Sequence, residues 1–272
     1  AAIIHAGLVP KFADILPDSL LLDPREALKT DTDVIVPVDY AGDLAETRGF
    51  VSTPVIIDAA HSFGFRKHPL TGVHGTCFSF HPVKIIACGE GGAFVTNIKS
   101  IADKVRALRD HGRIQGISYD IGFNYRLSDI HAALGLSQSK KLEKFLSRRR
   151  EITKYYFAQL QTTSHVQLPL DKDHAWHIFV IRVAASKRDA FRAFLLERGV
   201  GTQIHYQLAY SLPSLEVKCE LPTIKGETCP LAEREAKRIV SIPLYPSMSD
   251  LEVETVVDAV LAADKKILSS KS

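Results

Sequence analysis

Lys84 stands in the run Ser79-Phe80-His81-Pro82-Val83-Lys84-Ile85-Ile86-Ala87-Cys88-Gly89-Glu90-Gly91-Gly92, with apolar residues around it and a glycine-rich turn after it. A lysine drawn into apolar surroundings has a lowered pKa, because burial disfavours the charged form. Its free amine can then attack a carbonyl carbon and form a Schiff base. Ser79, shortly before it, offers a hydroxyl to a phosphate group. Asp58 closes the β-branched run Val55-Ile56-Ile57 and precedes Ala59-Ala60-His61. Ligands of open α/β sheets gather at the carboxyl ends of strands, which is where this carboxylate falls. Read alone, Asp58 serves equally well as the cap of the next turn; Lys84 is more telling, with a surface lysine in a loop as the lesser alternative. The Gly89-Glu90-Gly91-Gly92 turn matches neither the phosphate loop G-x-x-x-x-G-K-[ST] nor a complete G-x-G-x-x-G, so a nucleotide loop is rejected.

These side chains need a scaffold, and the pattern around them alternates strands with helices, as in an α/β sheet with parallel strands. Strands are expected at Val9 to Asp14, Val34 to Val38, Val55 to Asp58, Cys77 to Phe80 and Ala93 to Thr96. The continuous apolar run before Asp58 reads as a strand buried on both faces. A helix is expected over Ile101 to Asp110. Ser128 caps a longer one running towards Gln161, weakly broken near Lys140. After a polar stretch from Thr162 to Asp173, a strand (His177 to Val183), a helix (Lys187 to Glu197) and a strand (Thr202 to Tyr206) follow. Helices from about Leu231 and from Asp250 complete a second, smaller α/β unit. The only methionine is Met248, and Ala1 to Gly7 reads as the tail of a helix ending at a glycine. An N-terminal portion is therefore expected to precede this chain.

The bulk numbers exclude more than they assign. The chain has 272 residues, 46% of them apolar and 24% charged, with a net charge of +3. That charge is too mild to argue for nucleic acid, and Arg148-Arg149-Arg150 reads as a helix face. No apolar run approaches the ~20 residues that cross a bilayer, and no signal peptide opens the chain. Cysteines at 77, 88, 219 and 229 form no C-x-x-C and no zinc spacing, so no metal is expected. A reducing cytoplasm suits them better than a disulfide scaffold. His174 and His177 lie three apart but lack further ligands. His177 and His205 could touch a substrate, though each reads more simply as a structural histidine. Tyr206, Tyr210 and Trp176 could pack on a sugar or base, with core packing as the plainer role.

The segments 58–64 (DAAHSFG), 77–97 (CFSFHPVKIIACGEGGAFVTN) and 122–138 (GFNYRLSDIHAALGLSQ) together resemble the DegT/DnrJ-type sugar aminotransferases. These are fold-type-I enzymes dependent on pyridoxal phosphate. GVGTQIHYQ (199–207), CPLAE (229–233) and SIPLYPSMSD (241–250) continue the likeness in order. It is closest to the branch that aminates UDP-linked 4-keto-6-deoxy-hexosamines, as in the pseudaminic acid route. The resemblance implies a mixed, mostly parallel large domain over residues 1–145, truncated at its N-terminus. A smaller domain with the connecting helix would fill 146–272.

By position, Lys84 matches the lysine that carries the cofactor and Asp58 the acid that pairs with its ring nitrogen. His61 matches the residue against the ring or its hydroxyl, and Ser79 a phosphate-binding hydroxyl. Asn124 matches an asparagine that reaches the phosphate of a neighbouring subunit, which implies a homodimer with shared sites. The expected reaction moves an amino group from an amino acid, glutamate by analogy, to a nucleotide-linked keto-sugar by ping-pong chemistry. A branch with histidine in place of the lysine dehydrates instead, so lysine favours transamination. The family's N-terminal phosphate loop and stacked aromatic have no counterpart here, and Asp39 stands where the family commonly has histidine or another residue. A truncated member with a binding role, or a nucleotide-sugar dehydratase, are the alternative readings.

Overall fold

In a computed structural model, described for residues 1–29, 31–65, 72–212 and 229–269, the first half is built on three strands: β1 (Ile56–Asp58), β2 (Gly75–Ser79) and β3 (Gly92–Val95). β1 pairs with β2 in parallel and β2 with β3 antiparallel. Segment 34–38 runs beside β1, with parallel bridges from Ile35 to Val55 and Val38 to Asp58. It falls short of the continuous strand expected because Pro37 has no N–H to donate; its carbonyl accepts from Asp58 instead. Segment 9–14 is likewise not a strand and makes only an Ile15–Leu22 bridge just beyond it. Val55, Ile57, Phe78, Ile35 and Phe50 close the core here, which explains the apolar run before Asp58.

The helices follow their sequence signals closely. α1 (Ala2–His5) ends two residues before Gly7, whose φ of 75° lies in the left-handed region that glycine tolerates. α2 covers Pro24–Leu28 and α3 Lys99–Leu108, and a small hairpin pairs β4 (Arg113–Ile114) with β5 (Ile117–Ser118). Ser128 caps α4 (Asp129–Ser139) by accepting from the His131 N–H. The chain then breaks at Lys140–Lys141, where a weak break was read, before α5 (Leu142–Leu160).

In the second half β6 (Phe179–Arg182) pairs antiparallel with β7 (Ile239–Ile242), each strand buried along its whole length. α5, α6 (Arg188–Leu196) and α8 (Asp250–Ala263) wrap this ribbon. α5 buries Leu146, Arg149, Ile152, Thr153, Tyr156 and Leu160, a three-and-four spacing that places one face on the ribbon. A capping box between Ser249 and Glu252 starts α8. The short helix α7 (Pro230–Ala236) precedes β7. The expected strand over 202–206 is reduced to one bridge, Gln203 to Ser241. Beyond it the His205 carbonyl accepts the Tyr40 hydroxyl, which takes that acceptor from the ladder.

The two halves meet through Ile85, Ile86, Leu146 and Ala175, with Phe63, Phe80 and Leu142 against them. This seam packs the segment carrying Lys84 onto α5 and onto the 174–177 segment. Cys77, Cys88 and Cys229 are free thiols, while Cys219 lies outside the described residues. Among the described residues no helix is long and apolar enough to cross a membrane.

Candidate active site

Asp58 is the last residue of β1. Its backbone is held from two sides, its N–H donating to the Pro37 carbonyl and its carbonyl accepting from the Asp39 N–H. The Asp58 carboxylate accepts the Ala60 N–H at 3.0 Å. It therefore caps the turn that follows, as the plain reading had it, while standing at the carboxyl end of the strand where a ligand site is expected.

Lys84 lies on a loop that returns to β2. The Phe80 N–H donates to the Gly91 carbonyl and the Cys88 N–H to the Phe80 carbonyl, so the segment closes on itself. Gly89 makes the turn with φ of 87°, and a Cβ there would sit 2.7 Å from the His131 ring. Ile85 and Ile86 are buried next to Lys84, which is itself half-buried. Burial pulls the Lys84 ammonium below the ordinary lysine value, and the charge of Asp58 opposes that shift in part. Lys84 and Asp58 are thus within electrostatic reach of each other. The amine also lines a cleft of about 860 Å³ between its own loop, α5 and residues 245–247.

Over this pair sits a group of imidazoles. His61 is 5% exposed and His177 equally so, with ring centroids 4.3 Å apart. The Ala41 N–H donates to His61 Nδ1 at 3.3 Å, and the Ala41 carbonyl accepts the His177 N–H at 2.9 Å. Gly42 allows this close approach: at φ of 100° its missing Cβ would meet the Ala175 Cβ at 2.9 Å. Desolvation, then the charges of Lys84 and His205, lowers His61 to about 3. His177 falls well below its ordinary value for the same first reason, and Nδ1 of its ring is buried without a hydrogen-bond partner. His205 is lowered more mildly by burial and by Lys84, and its Nδ1 lies 2.9 Å from the Ser241 hydroxyl. The Tyr206 hydroxyl is 3.1 Å from His61 Nε2.

The structure therefore brings Lys84, Asp58, His61, His177, His205 and Tyr206 into one neighbourhood. Ser79 ends β2 beside the Lys84 loop, where among the described residues its Oγ receives a long 3.4 Å bond from the His81 N–H. Asn124 is exposed, bonded through Oδ1 to Arg126 and bridged to Asp110, with no bond to the cluster among the described residues. Trp176 packs in the core against Phe179 and His174, the plainer of its two roles. Among the described residues no three His, Cys, Asp or Glu side chains are placed to hold a metal ion.

Three residues that carry the site were not singled out for it in the sequence. Ala41 acts through its backbone, Tyr40 through its hydroxyl on the His205 carbonyl, and Arg149 through the carbonyls of Trp176, His177 and Leu244 at 2.9–3.1 Å. The signal available for Arg149 was its three-and-four register with Leu146, Ile152 and Tyr156, which places it on the buried face. Backbone contacts such as those of Ala41 leave no trace in side-chain type.

Residues 1–261 match the model of the DegT/DnrJ/EryC1/StrS aminotransferase family. The chain belongs to this family. Among solved structures, this DegT-family chain is similar to Helicobacter pylori PseC, an aminotransferase involved in the biosynthesis of pseudoaminic acid. The identity is 26% and the TM-score 0.87, over 97% of this chain and 76% of that one. It is similar to S. venezuelae DesV, solved in complex with a ketimine intermediate, at 27% identity and a TM-score of 0.89 over 98% of this chain and 75% of that one. NtdA from Bacillus subtilis, solved with its cofactor PMP bound, gives 26% identity and a TM-score of 0.88 over 97% of this chain and 65% of that one. The α/β architecture expected from the sequence is that of these aminotransferases, and this chain spans about three-quarters of the length of the first two.

Proposed function

We propose that this chain carries the pyridoxal phosphate site of a sugar aminotransferase that moves an amino group from an amino acid, glutamate by analogy, to a nucleotide-linked keto-sugar in ping-pong order. The observation that carries the reading is the pairing of a half-buried Lys84, its amine pushed towards neutrality, with the strand-end carboxylate of Asp58. The donor set suits this cofactor: a desolvated primary amine, a carboxylate for a protonated ring nitrogen, neutral imidazoles, and a buried imidazole nitrogen without a partner. When bound, pyridoxal phosphate supplies an aldehyde for an amine and a conjugated ring that accepts electrons from the carbon beside the nitrogen.

The chain's own residues divide the remaining work. Lys84 holds the cofactor and afterwards takes a proton from one carbon and returns it to another, a task eased by the lowering of its pKa on burial. Asp58 keeps the ring nitrogen charged, a charge-assisted contact worth about 2–3 kcal/mol. His61 sets an uncharged face against the ring, and the Ser79 hydroxyl contacts the phosphate. His177, His205 and Tyr206 border the space left for substrate.

Asn124 serves the phosphate of a second subunit in a homodimer with shared sites. Its exposed position supports this assignment, as do the apolar side chains around it. Ile121 is 88% exposed and Ile130 82%, and α4 buries no residue within the chain. Faces of this kind on a single chain mark association surfaces.

Borohydride reduction in the presence of pyridoxal phosphate, followed by peptide mapping, tests the reading. A pyridoxyl label is expected on Lys84, and Lys84→Ala should lose both the label and turnover. Label elsewhere, or turnover retained by Lys84→Ala, would refute it. Product formed without nitrogen from the donor would favour a dehydratase, and a protein that never takes the label would favour a non-catalytic role.

A further inference from the structure

We infer that Tyr206 presents its hydroxyl hydrogen to the substrate at Lys84, and that the Ala41 backbone fixes it in this role through the tautomer of His61. The inference rests on the function proposed above and adds a substrate contact to it. The Ala41 N–H points at His61 Nδ1, 3.3 Å away, so that nitrogen must be an acceptor and cannot carry a proton. A neutral imidazole then has its only proton on Nε2. Burial keeps the ring neutral, far below its ordinary value. Nε2–H faces Tyr206 Oη at 3.1 Å, so the phenol oxygen is the acceptor of that bond. The phenol's own hydrogen is left over, and among the described residues no acceptor is placed for it.

That hydrogen is available where it matters. Tyr206 is 50% exposed, so a ligand can reach it. Its hydroxyl lies within electrostatic reach of Asp58, whose charge adds to burial in keeping the phenol protonated. Lys84 acts on His61 in the same way, so amine, carboxylate and phenol share one space. Tyr206 is an uncharged donor, and the nearest charge to it that shifts its behaviour is negative. An uncharged donor suits an uncharged sugar oxygen, whereas a donor carboxylate is better met by a cationic side chain. His61 is then a positioning residue. Ser62 and Asp39 support it, because the Ser62 hydroxyl donates to the buried Asp39 carboxylate at 2.6 Å and the same carboxylate accepts the Ala45 N–H. The Asp39 that departs from the family pattern thus ties the turn that carries Ala41 to the residue after His61.

Two measurements test this. In cofactor-free, histidine-labelled protein, nitrogen–proton correlation NMR should show His61 as the neutral Nε2–H tautomer from about pH 5 to 8, in wild type and in Tyr206→Phe alike. An Nδ1–H tautomer or a charged ring overturns the inference. In protein loaded with pyridoxal phosphate, Tyr206→Phe should leave the glutamate half-reaction within about twofold. It should slow the half-reaction with a UDP-linked 4-keto-6-deoxy-hexosamine by about 10- to 100-fold. In the keto-sugar half-reaction His61→Leu should slow the rate at least as much, His61→Gln should restore it because its amide still donates to Oη, and the double variant Tyr206→Phe/His61→Leu should be no slower than His61→Leu alone. Equal slowing of both half-reactions, no slowing, or additive losses would overturn it. Absence of pyridoxyl label on wild-type Lys84 would instead strike the underlying functional reading.

Discussion

At the scale of single residues, the site is defined by groups kept away from their ordinary charge. Three histidines, two in the site and one behind it against Trp176, are buried and neutral: His61 and His174 are held to about 3, and His177 lies well below its usual value. The sign of the consequence is fixed. In the unfolded chain each takes a proton near pH 6.5, and in the folded protein it cannot. Their contribution is therefore fully present above about pH 6.5 and is lost as pH falls below it, at about 1.4 kcal/mol per pH unit for each histidine that stays uncharged in the folded protein. Thermal unfolding followed by circular dichroism should show the midpoint dropping steeply between about pH 6.5 and 5, and His174→Gln should flatten that slope by about a third. An unchanged slope would mean that His174 titrates normally when folded. The sequence marked Lys84, Asp58, His61, His177, His205 and Tyr206, and they converge. A structural role was the plain reading of His177 and His205. That reading and a site role are compatible here, because a neutral imidazole can wall a pocket as well as fill a core.

At the scale of elements, α7 is started by a residue far from it in the chain. The Asp14 carboxylate accepts the N–H groups of Leu231 and Ala232 at 2.9 Å each, satisfying two of the first donors of the helix. Asp14→Ala should lower stability by about 1–2 kcal/mol in urea titrations, like the loss of a strong local cap. A change within a few tenths would show that water replaces the carboxylate. No local pattern points to this contact, since a cap is sought beside its helix. The caps that were legible are the adjacent ones: Ser128 before α4, and the helix start at Asp250, where Ser249 and Glu252 lock together. The strand readings at 9–14 and 202–206 failed for a related reason. Apolar alternation makes a segment fit to pair, but pairing needs a neighbour with free N–H and C=O groups. Tyr40 takes the His205 carbonyl instead, and the Asp14 side chain ties its segment to α7.

At the scale of the whole molecule, Arg149 ties α5 to the 174–177 segment and to the stretch that follows β7. It is 4% exposed, and one of its nitrogens donates to the carbonyls of Trp176, His177 and Leu244. Burial without a partner carboxylate lowers it to about 10. Arg149→Leu should cost about 2–4 kcal/mol in chemical denaturation by stranding those carbonyls, and Arg149→Lys should not restore it, because a compact ammonium lacks the guanidinium's reach and shape. Sedimentation tests the association proposed above. A dimer is expected for the wild type, and Ile130→Asp together with Leu136→Asp should shift it to monomer.

The sequence by itself determined the α/β order, the family, and which side chains could do chemistry, because each is written in residue type and local spacing. Only the tertiary structure decided that the 174–177 segment lies over His61, that α7 is capped by Asp14, and that an arginine on α5 clamps three distant carbonyls. Those depend on backbone groups, which every residue possesses alike, and on which distant segments the seam brings within hydrogen-bond range.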